Sequence, residues 1–491
     1  MNKKKLINLI ILLILTLLTI GSSLDNDFWF VINHGRYIIN NGFTNIEPFT
    51  IHENLDFSFE KWLTCILAYL IYDRFGKIGI YITILIIAII IEILLVKYMF
   101  KVSKRITLNS LILFSFMFPF CYLFMKSRPQ ILSYLILVIE FGLTEKYAET
   151  NNWKYLIWLP LLSLIYMQFH STMWYYFFIV GLLPYLFDFK WIAKKIHAEE
   201  SNYNKLPLVI VTVASFLAGF INPYGARSVF YLFNSTNIGV GINELQSPTL
   251  GYWIYMALTF IIGFIYTLNE SAKNKQINLP LRYIYFYLGL LMLGVFALRN
   301  IAYVELYGPV LCAYTFKDIE IKNLNFSTKS KIFSKENFQR QLPAIKKIIS
   351  TVTLIAVLPL CLSIHKTDIY EFTPCASVLN EFKPDKQDIK LFTDFNAGAY
   401  AEWLGYKTYL DPRAEVFTKK INGKEDILSE FEALTNGQVT YMDLQEKYNF
   451  DYWLVSKTAS YYNYISADFN YLKVNENEKY VIFKAIKHHE M

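Results

Sequence analysis

Three carboxylates near the start of the chain have the side-chain type needed for general-base chemistry. Asp25 and Asp27 follow directly after the first apolar segment, and Glu60 lies in the same polar stretch. A positioned carboxylate can take the proton from a reacting hydroxyl. The same cluster could bind a divalent cation, Mg²⁺ or Mn²⁺, because hard cations prefer oxygen ligands. An alternative stays open, in which these acidic residues only end an apolar segment at the water boundary.

Asp27 is the residue that we predict to be the base, ahead of Asp25. It immediately precedes a segment whose apolar spacing, from Phe28 to Asn40, predicts a short helix, and a second helix is predicted from Lys61 to Phe75. The adjacent Phe28-Trp29 pair could keep water away from the carboxylate. Asp25 and Glu60 would then support the reaction by holding a cation or an arginine.

Basic residues suited to a phosphate group occur in two short polar turns. Lys126 and Arg128 lie in one of them, and Arg299 lies in the other, between two apolar segments. Guanidinium groups bind phosphate in a bidentate manner, and a charge placed between two spans needs a partner. These three residues are the predicted phosphate site, with contact to lipid headgroups as the alternative.

Five further polar residues, next to apolar segments or between them, are candidates for binding substrate. They are Arg36, His170, Asn222, Tyr224 and Glu244. A histidine or a turn residue at such a position can also be purely structural, and that alternative stays open for each of them.

The composition indicates the kind of protein that must position these residues. Hydrophobic residues make up 54% of the 491 residues and charged residues only 18%, and the mean hydropathy is +0.30. Soluble domains carry about 25% charged residues, so the sequence predicts a polytopic membrane protein. The basic excess lies in the apolar part of the chain, where it indicates topology and not nucleic-acid binding.

Apolar segments of spanning length predict about eleven transmembrane helices. They lie near 6–24, 79–100, 108–125, 129–145, 153–170, 171–187, 206–221, 251–268, 283–298, 300–317 and 348–364. With the N-terminus in the cytoplasm, the inner segments hold about three times as many lysines and arginines as the outer ones. The predicted location is therefore the plasma membrane, with residues 25–78 as a first outer loop and residues 366–491 also outside.

Residues 366–491 have the pattern of a compact α/β domain. Predicted strands lie at Ile389–Phe395, Thr408–Asp411, Asp451–Ser456, Tyr471–Val474 and Tyr480–Lys484, with helices beginning near Glu425 and Tyr441. Residues 1–365 form the predicted transmembrane domain. Asp411 and Arg413 could bind a glycan or form a structural turn pair.

A set of short motifs, taken in order along the chain, resembles a bacterial family of multi-pass glycosyltransferases in the GT-C superfamily. Relatives of that family include the protein O-mannosyltransferases and the lipid A aminoarabinose transferase. The motifs are Asp25-x-Asp27-x-Trp29, His34-Gly35-Arg36, Glu47-Pro48-Phe49, Phe59-Glu60-Lys61-Trp62, Ser127-Arg128-Pro129-Gln130, His170-Ser171, Asn222-Pro223-Tyr224-Gly225 and Arg299-Asn300.

The resemblance implies a sugar donor linked to polyprenyl phosphate and a glycan, lipid or protein acceptor at the outer face of the membrane. It also implies direct displacement with inversion, in which a carboxylate acts as the base and basic groups neutralise the departing phosphate. Two other functions stay open: a transporter or flippase for a lipid-linked glycan, and a non-catalytic membrane scaffold.

Overall fold

The computed structural model describes residues 3–21, 24, 26–235, 246–318, 373–384 and 388–486. Helices dominate the part before residue 319, and a five-stranded sheet lies in the C-terminal part. The predicted span at 348–364 and the candidate residues Asp25 and Glu244 lie outside the described residues.

The apolar segments predicted as spans are largely helical wherever the structure describes them. The α-helices of this part are α1 (Lys3–Leu17), α2 (Phe28–Asn41), α3 (Trp62–Val102), α4 (Ile106–Leu123), α5 (Gln130–Thr150), α6 (Leu159–His170), α7 (Leu183–Leu186), α8 (Lys190–Lys195), α9 (Lys205–Ala218), α10 (Ala226–Ser235), α11 (Leu250–Met256), α12 (Leu258–Asn274), α13 (Leu281–Phe296) and α14 (Ile301–Thr315). Two short strands, β1 (Ala198–Glu199) and β2 (Ile277–Pro280), pair in parallel between them.

Several of these helices are long and apolar enough to cross a membrane. Within the described residues they are α3 (Trp62–Val102), α4 (Ile106–Leu123) and Trp153–Met173, which is α6 with a 3₁₀ turn at each end. Shorter apolar helical segments cover Leu6–Leu17, Phe177–Leu186, Lys205–Ala218 and Leu281–Phe296. The helical membrane architecture therefore agrees with the sequence, whereas the number of about eleven spans stays a prediction.

Two helices of the first outer loop are placed as the sequence predicts. The short helix expected at Phe28–Asn40 is α2. The helix expected at Lys61–Phe75 is the first part of α3, which breaks at Gly76, where φ is +60°. Gly35 lets the two helices approach closely, because a Cβ there would lie 2.1 Å from the Cys65 carbonyl oxygen.

The C-terminal part is a mixed sheet with short helices around it. Its strands are β3 (Lys390–Phe392), β4 (Lys407–Thr408), β5 (Tyr452–Ser456), β6 (Tyr471–Glu476) and β7 (Tyr480–Ala485), in the order β4-β3-β5-β7-β6. The helices are α15 (Ala376–Glu381), α16 (Gly398–Trp403), α17 (Lys419–Asn422), α18 (Ile427–Thr435), α19 (Tyr441–Tyr448) and α20 (Tyr462–Ala467). All five predicted strands and both predicted helices are confirmed, with ends that differ by a few residues.

The first outer loop and the C-terminal domain share one hydrophobic core. Phe49 and Phe57 of the loop are buried in the same cluster as Leu410 and Phe417. The loop also extends the sheet, since the Ile51 amide donates to the Thr408 carbonyl at 2.9 Å, at the β4 edge. The predicted boundary at residue 365 lies outside the described residues and stays a prediction, while the loop and the C-terminal part on its two sides pack against each other.

Candidate functional site

A cavity of about 130 Å³ brings the three predicted phosphate-binding residues together. Lys126 and Arg128 reach it from the turn between α4 and α5, where Pro129 precedes the first turn of α5. Arg299 reaches it from the turn between α13 and α14. Its other walls include Tyr134 and Tyr303, so basic groups face an otherwise largely apolar and aromatic chamber.

The turn that carries Arg299 is held in place by its neighbour Asn300. The Asn300 side chain accepts a hydrogen bond from the Tyr176 hydroxyl at 2.7 Å and donates to the Leu293 carbonyl at 3.0 Å. Tyr176 stacks on Tyr303, with ring centroids 4.4 Å apart. Among the described residues, no hydrogen-bond partner reaches the buried Nε of Arg299. The Nε–H group of Arg299 is therefore left as a hydrogen-bond donor, and an anion in the cavity could accept from it.

Asp27, the predicted base, lies beside this cavity. Its carboxylate forms an ion pair with the Arg128 guanidinium at 3.3 Å, and its side chain is about one-third exposed. Asp27 immediately precedes α2, so the start of this helix places the carboxylate beside the turn that carries Lys126 and Arg128. The tertiary structure thus joins a predicted catalytic residue to a predicted phosphate-binding residue.

Glu60 lies in a different environment, buried among hydroxyl groups. Its carboxylate accepts hydrogen bonds from the hydroxyls of Ser58 and Ser171, and from the Ser228 hydroxyl at 3.5 Å. Burial raises the pKa of Glu60, and the hydroxyls of Ser171 and Ser58 and the charge of Arg227 offset part of the rise. These contacts join the outer loop to the His170-Ser171 turn and to α10.

The raised pKa of Glu60 predicts a specific dependence of stability on pH. The folded chain holds this proton more tightly than the unfolded chain, so the contribution of Glu60 to stability is present at low pH and is lost as the pH rises through the raised pKa. The Glu60→Gln variant cannot titrate at this position. Thermal unfolding from about pH 4 to about pH 8 should therefore favour the variant increasingly as the pH rises.

The control for this experiment is Glu53→Gln, a change at an exposed position of the same loop. It should leave the pH profile of the wild-type protein unaltered. Parallel profiles for Glu60→Gln and the wild-type protein would contradict the assignment of a raised pKa to Glu60.

The side chains of three candidate substrate-binding residues make internal contacts. Arg36 donates to the Asn33 side chain at 2.7 Å and to the Trp403 carbonyl at 2.8 Å. Asn222 donates to the carbonyls of its own turn, at Gly219 and Gly225, and the Tyr224 hydroxyl donates to the Thr44 carbonyl at 2.9 Å. These bonds explain the residues structurally, and their predicted binding of substrate is untested.

His170 is also buried, near the base of the outer loop. One ring nitrogen, Nδ1, lies 3.0 Å from the Ser133 hydroxyl. The residue ends α6, directly before the serine that binds Glu60. His170 therefore lies next to the residue that contacts Glu60, and a direct contact with substrate stays a prediction. Glu244 lies outside the described residues.

The predicted cation site includes Asp25 and is therefore not tested by the residues that the structure describes. No group of three His, Cys, Asp or Glu side chains there could hold a metal ion. Glu60 binds hydroxyls and Asp27 binds Arg128. A site that includes Asp25 lies outside the described residues, and we derive no chemical step through a cation.

Sequence reasoning missed a buried charge cluster between the outer loop and the C-terminal domain. Arg413 forms ion pairs with Asp411, with Glu47 at 2.9 Å and with Glu402 at 3.5 Å, and its Nη1 lies 3.2 Å from Nε2 of His34. The side chains of Arg413 and of all three carboxylate residues are at most 3% exposed. His34, Glu47, Asp411 and Arg413 were named from the sequence and Glu402 was not, and no local pattern indicated that these residues meet.

Burial shifts the protonation of two members of this cluster. It raises the pKa of Glu402 well above the usual range, and the negative charge of Asp411 adds to the rise. It lowers the pKa of His34, and the positive charges of Arg413 and Lys61 lower it further. The neutral His34 ring can therefore accept a hydrogen bond from Arg413. Asp411 and Arg413 were predicted either to bind a glycan or to form a structural turn pair, and these contacts favour the structural role.

Comparison with known proteins identifies the fold. No protein-family model matches the sequence, and no curated protein matches it significantly. Among solved structures, an oligosaccharyltransferase from Archaeoglobus fulgidus, tethered to an acceptor peptide, is 11% identical with a TM-score of 0.55, over 93% of this chain and 69% of that one. ArnT from Cupriavidus metallidurans, bound to undecaprenyl phosphate, is 10% identical with a TM-score of 0.55, over 97% of both chains. The chain therefore shares its overall fold with these two solved structures.

Proposed function

We propose that the protein is a glycosyltransferase that uses a polyprenyl-phosphate sugar donor at the outer face of the membrane. The acceptor would be a glycan, a lipid or a protein, and the reaction would invert the anomeric carbon. The observation that carries the proposal is the cavity in which Arg128, Lys126 and Arg299 meet beside Asp27. The fold shared with ArnT, which binds undecaprenyl phosphate, supports the same assignment.

The geometry suggests how the reaction would proceed. The acceptor hydroxyl oxygen attacks the anomeric carbon, and its proton moves to the Asp27 carboxylate. The bond between the anomeric carbon and the phosphate oxygen breaks, and the electron pair leaves with the polyprenyl phosphate. Arg128 and Arg299, with Lys126, stabilise the negative charge that develops there, in a site with aromatic walls.

The shared core of the outer loop and the C-terminal domain supports the proposed topology. Glu47 of the loop and Arg413 of the domain are bonded to each other, which supports the prediction that both parts lie on one side of the membrane. The basic bias of the alternate segments favours the outer side. The donor cavity and the domain would then face the same compartment.

Removing a guanidinium from the cavity should weaken binding of the donor lipid. Each of Arg128→Ala and Arg299→Ala removes a charge-assisted contact of about 1.5–3 kcal/mol, which raises the Kd for polyprenyl phosphate by roughly one to two decades. Arg128→Lys should restore only part of the affinity, because an ammonium group lacks the bidentate geometry. Native mass spectrometry of the purified protein in nanodiscs would measure the Kd.

Arg74→Ala is the matched control, because Arg74 is exposed on α3 and does not line the cavity. It should bind polyprenyl phosphate like the wild-type protein. Affinity within twofold of wild type in both alanine variants of the cavity would remove Arg128 and Arg299 from the donor site.

A further inference from the structure

A second depression, separate from the donor cavity, lies between α2 and the C-terminal domain. We call it the outer groove and define it by Asn33, Tyr37, Asn40, Glu402, Tyr406 and Lys407, which line it together with their neighbours. Its volume is about 200 Å³. A single water needs only about 10–15 Å³ by this measure, so the outer groove has room for a ligand of many atoms.

The α2 side of the outer groove is a polar stripe on a helix that is otherwise mostly buried. Asn33, Tyr37 and Asn40 are spaced by four and three residues, so they lie on one face of the helix. Each asparagine amide can both donate and accept hydrogen bonds. The Tyr37 hydroxyl and the Asn40 amide, one helical turn apart, can each offer a donor and an acceptor. Asn33 offers only Nδ2, because its Oδ1 accepts from Arg36.

Two buried polar atoms on residues of the outer groove have no hydrogen-bond partner among the described residues. They are Nδ2 of Asn33 and Oε2 of Glu402, and the two residues are only 2% and 3% exposed. The other polar atom of each side chain is used, since Oδ1 of Asn33 accepts from Arg36 and Oε1 of Glu402 accepts from Thr408 at 2.7 Å. Glu402 is held within the Arg413 cluster, beside Asp411, whereas an unpaired buried amide such as Nδ2 of Asn33 is costly. A ligand that accepts from Asn33 therefore gains affinity.

The basic side chains that border the outer groove are engaged with the protein itself. The Arg36 guanidinium lies 4.1 Å above the Trp403 ring and donates to the Trp403 carbonyl. The Lys407 ammonium donates to the Pro48 carbonyl. The groups left to a ligand are therefore mainly amides, tyrosine hydroxyls and aromatic surfaces. That chemistry suits a molecule with many hydroxyl groups better than an anion such as a phosphate.

We propose that the outer groove binds carbohydrate, as the site that holds the glycan portion of the acceptor. This inference rests on the proposed function. Along α2, at 1.5 Å per residue, Asn33 is roughly 9 Å and Asn40 roughly 20 Å from Asp27. The outer groove therefore holds sugar units at a distance from the reacting hydroxyl, and it discriminates long acceptors from short ones.

Direct binding to the full-length protein in nanodiscs tests the proposal. Chitotetraose, maltotetraose and mannotetraose serve as probes, and saturation-transfer NMR detects the bound sugar. At least one tetrasaccharide should bind the wild-type protein. Asn40→Ala and Tyr406→Leu should each raise its Kd by about 2- to 10-fold, as expected for one hydrogen bond, and the double variant should raise it further.

Asn45→Ala provides the matched control, because Asn45 is exposed on the segment that follows α2 and does not line the outer groove. It should bind the tetrasaccharide like the wild-type protein. Failure of all three probes to bind wild-type protein, or wild-type affinity in the double variant, overturns the carbohydrate site.

The experiment separates this inference from the proposed function. Asp27→Asn leaves the outer groove intact, so it should bind the tetrasaccharide with wild-type affinity. Normal sugar transfer by Asp27→Asn would refute the catalytic assignment and leave the carbohydrate site standing. Absence of tetrasaccharide binding in a protein that still transfers sugar would refute the carbohydrate site alone.

Discussion

Asp27→Asn should lower the turnover of sugar transfer by at least ~100-fold, the lower end of what a general base contributes. The amide keeps the shape of the side chain but cannot take the acceptor proton. In the structure Asp27 also pairs with Arg128, and a donor phosphate would compete with it for the same guanidinium. The variant should therefore bind the donor as well as the wild-type protein or more tightly, while kcat falls.

The measurement is single-turnover transfer by purified protein, with donor binding determined separately. A loss of kcat without a loss of donor affinity separates chemistry from binding. Asp73→Asn is the control, since Asp73 is an exposed carboxylate on α3. Near-normal turnover in Asp27→Asn would exclude Asp27 as the base.

The double variant Asp25→Asn with Asp27→Asn extends this test to the whole acidic motif. It should show no more activity than Asp27→Asn alone. Near-normal transfer by the double variant would refute the glycosyltransferase interpretation of this loop and favour the alternative that the acids only end an apolar segment. A flippase or a scaffold would also show no dependence on these two carboxylates.

Arg413→Leu should destabilise the chain by about 3–5 kcal/mol, because it leaves buried carboxylates without their cation. Glu47 lies in the outer loop, whereas Asp411 and Glu402 lie in the C-terminal domain, and Arg413 is bonded to all three. Its loss should therefore also loosen the loop from the domain. Thermal unfolding in detergent, together with limited proteolysis of the loop, would measure both effects.

Two further variants make this prediction specific. Arg413→Lys keeps the charge but loses the bidentate bonds to Asp411, so its stability should fall between those of wild type and Arg413→Leu. Lys424→Ala removes an exposed cation from the same domain and should change stability by no more than about 0.5 kcal/mol. Equal unfolding temperatures for Arg413→Leu and Lys424→Ala would contradict a stabilising charge cluster.

The catalytic proposal and the charge cluster are connected through α2. Asp27 precedes this helix, and His34 within it contacts Arg413. The Trp29 indole of the same helix donates to the Thr373 hydroxyl at 2.8 Å, at the start of the C-terminal domain. The domain therefore supports the helix that carries the proposed base, which explains why a domain distant in sequence could matter for catalysis.

The sequence alone determined the local structure and the types of residue at the site. Periodic apolar runs predicted the helices, and the pattern of residues 366–491 predicted the five strands and two helices of that part. These features depend on neighbours within a few turns or strand residues, so they can be read from short segments.

The tertiary structure decided which of these residues meet. Arg299 joins Lys126 and Arg128 in one cavity, Asp27 pairs with Arg128, and Glu60 is enclosed by serines. Likewise Arg413 pairs with Glu47, although most of the predicted transmembrane helices lie between these two residues in the sequence. Such contacts depend on how apolar faces pack between helices far apart in the chain, and a motif states only which groups are available, not which partner each one finds.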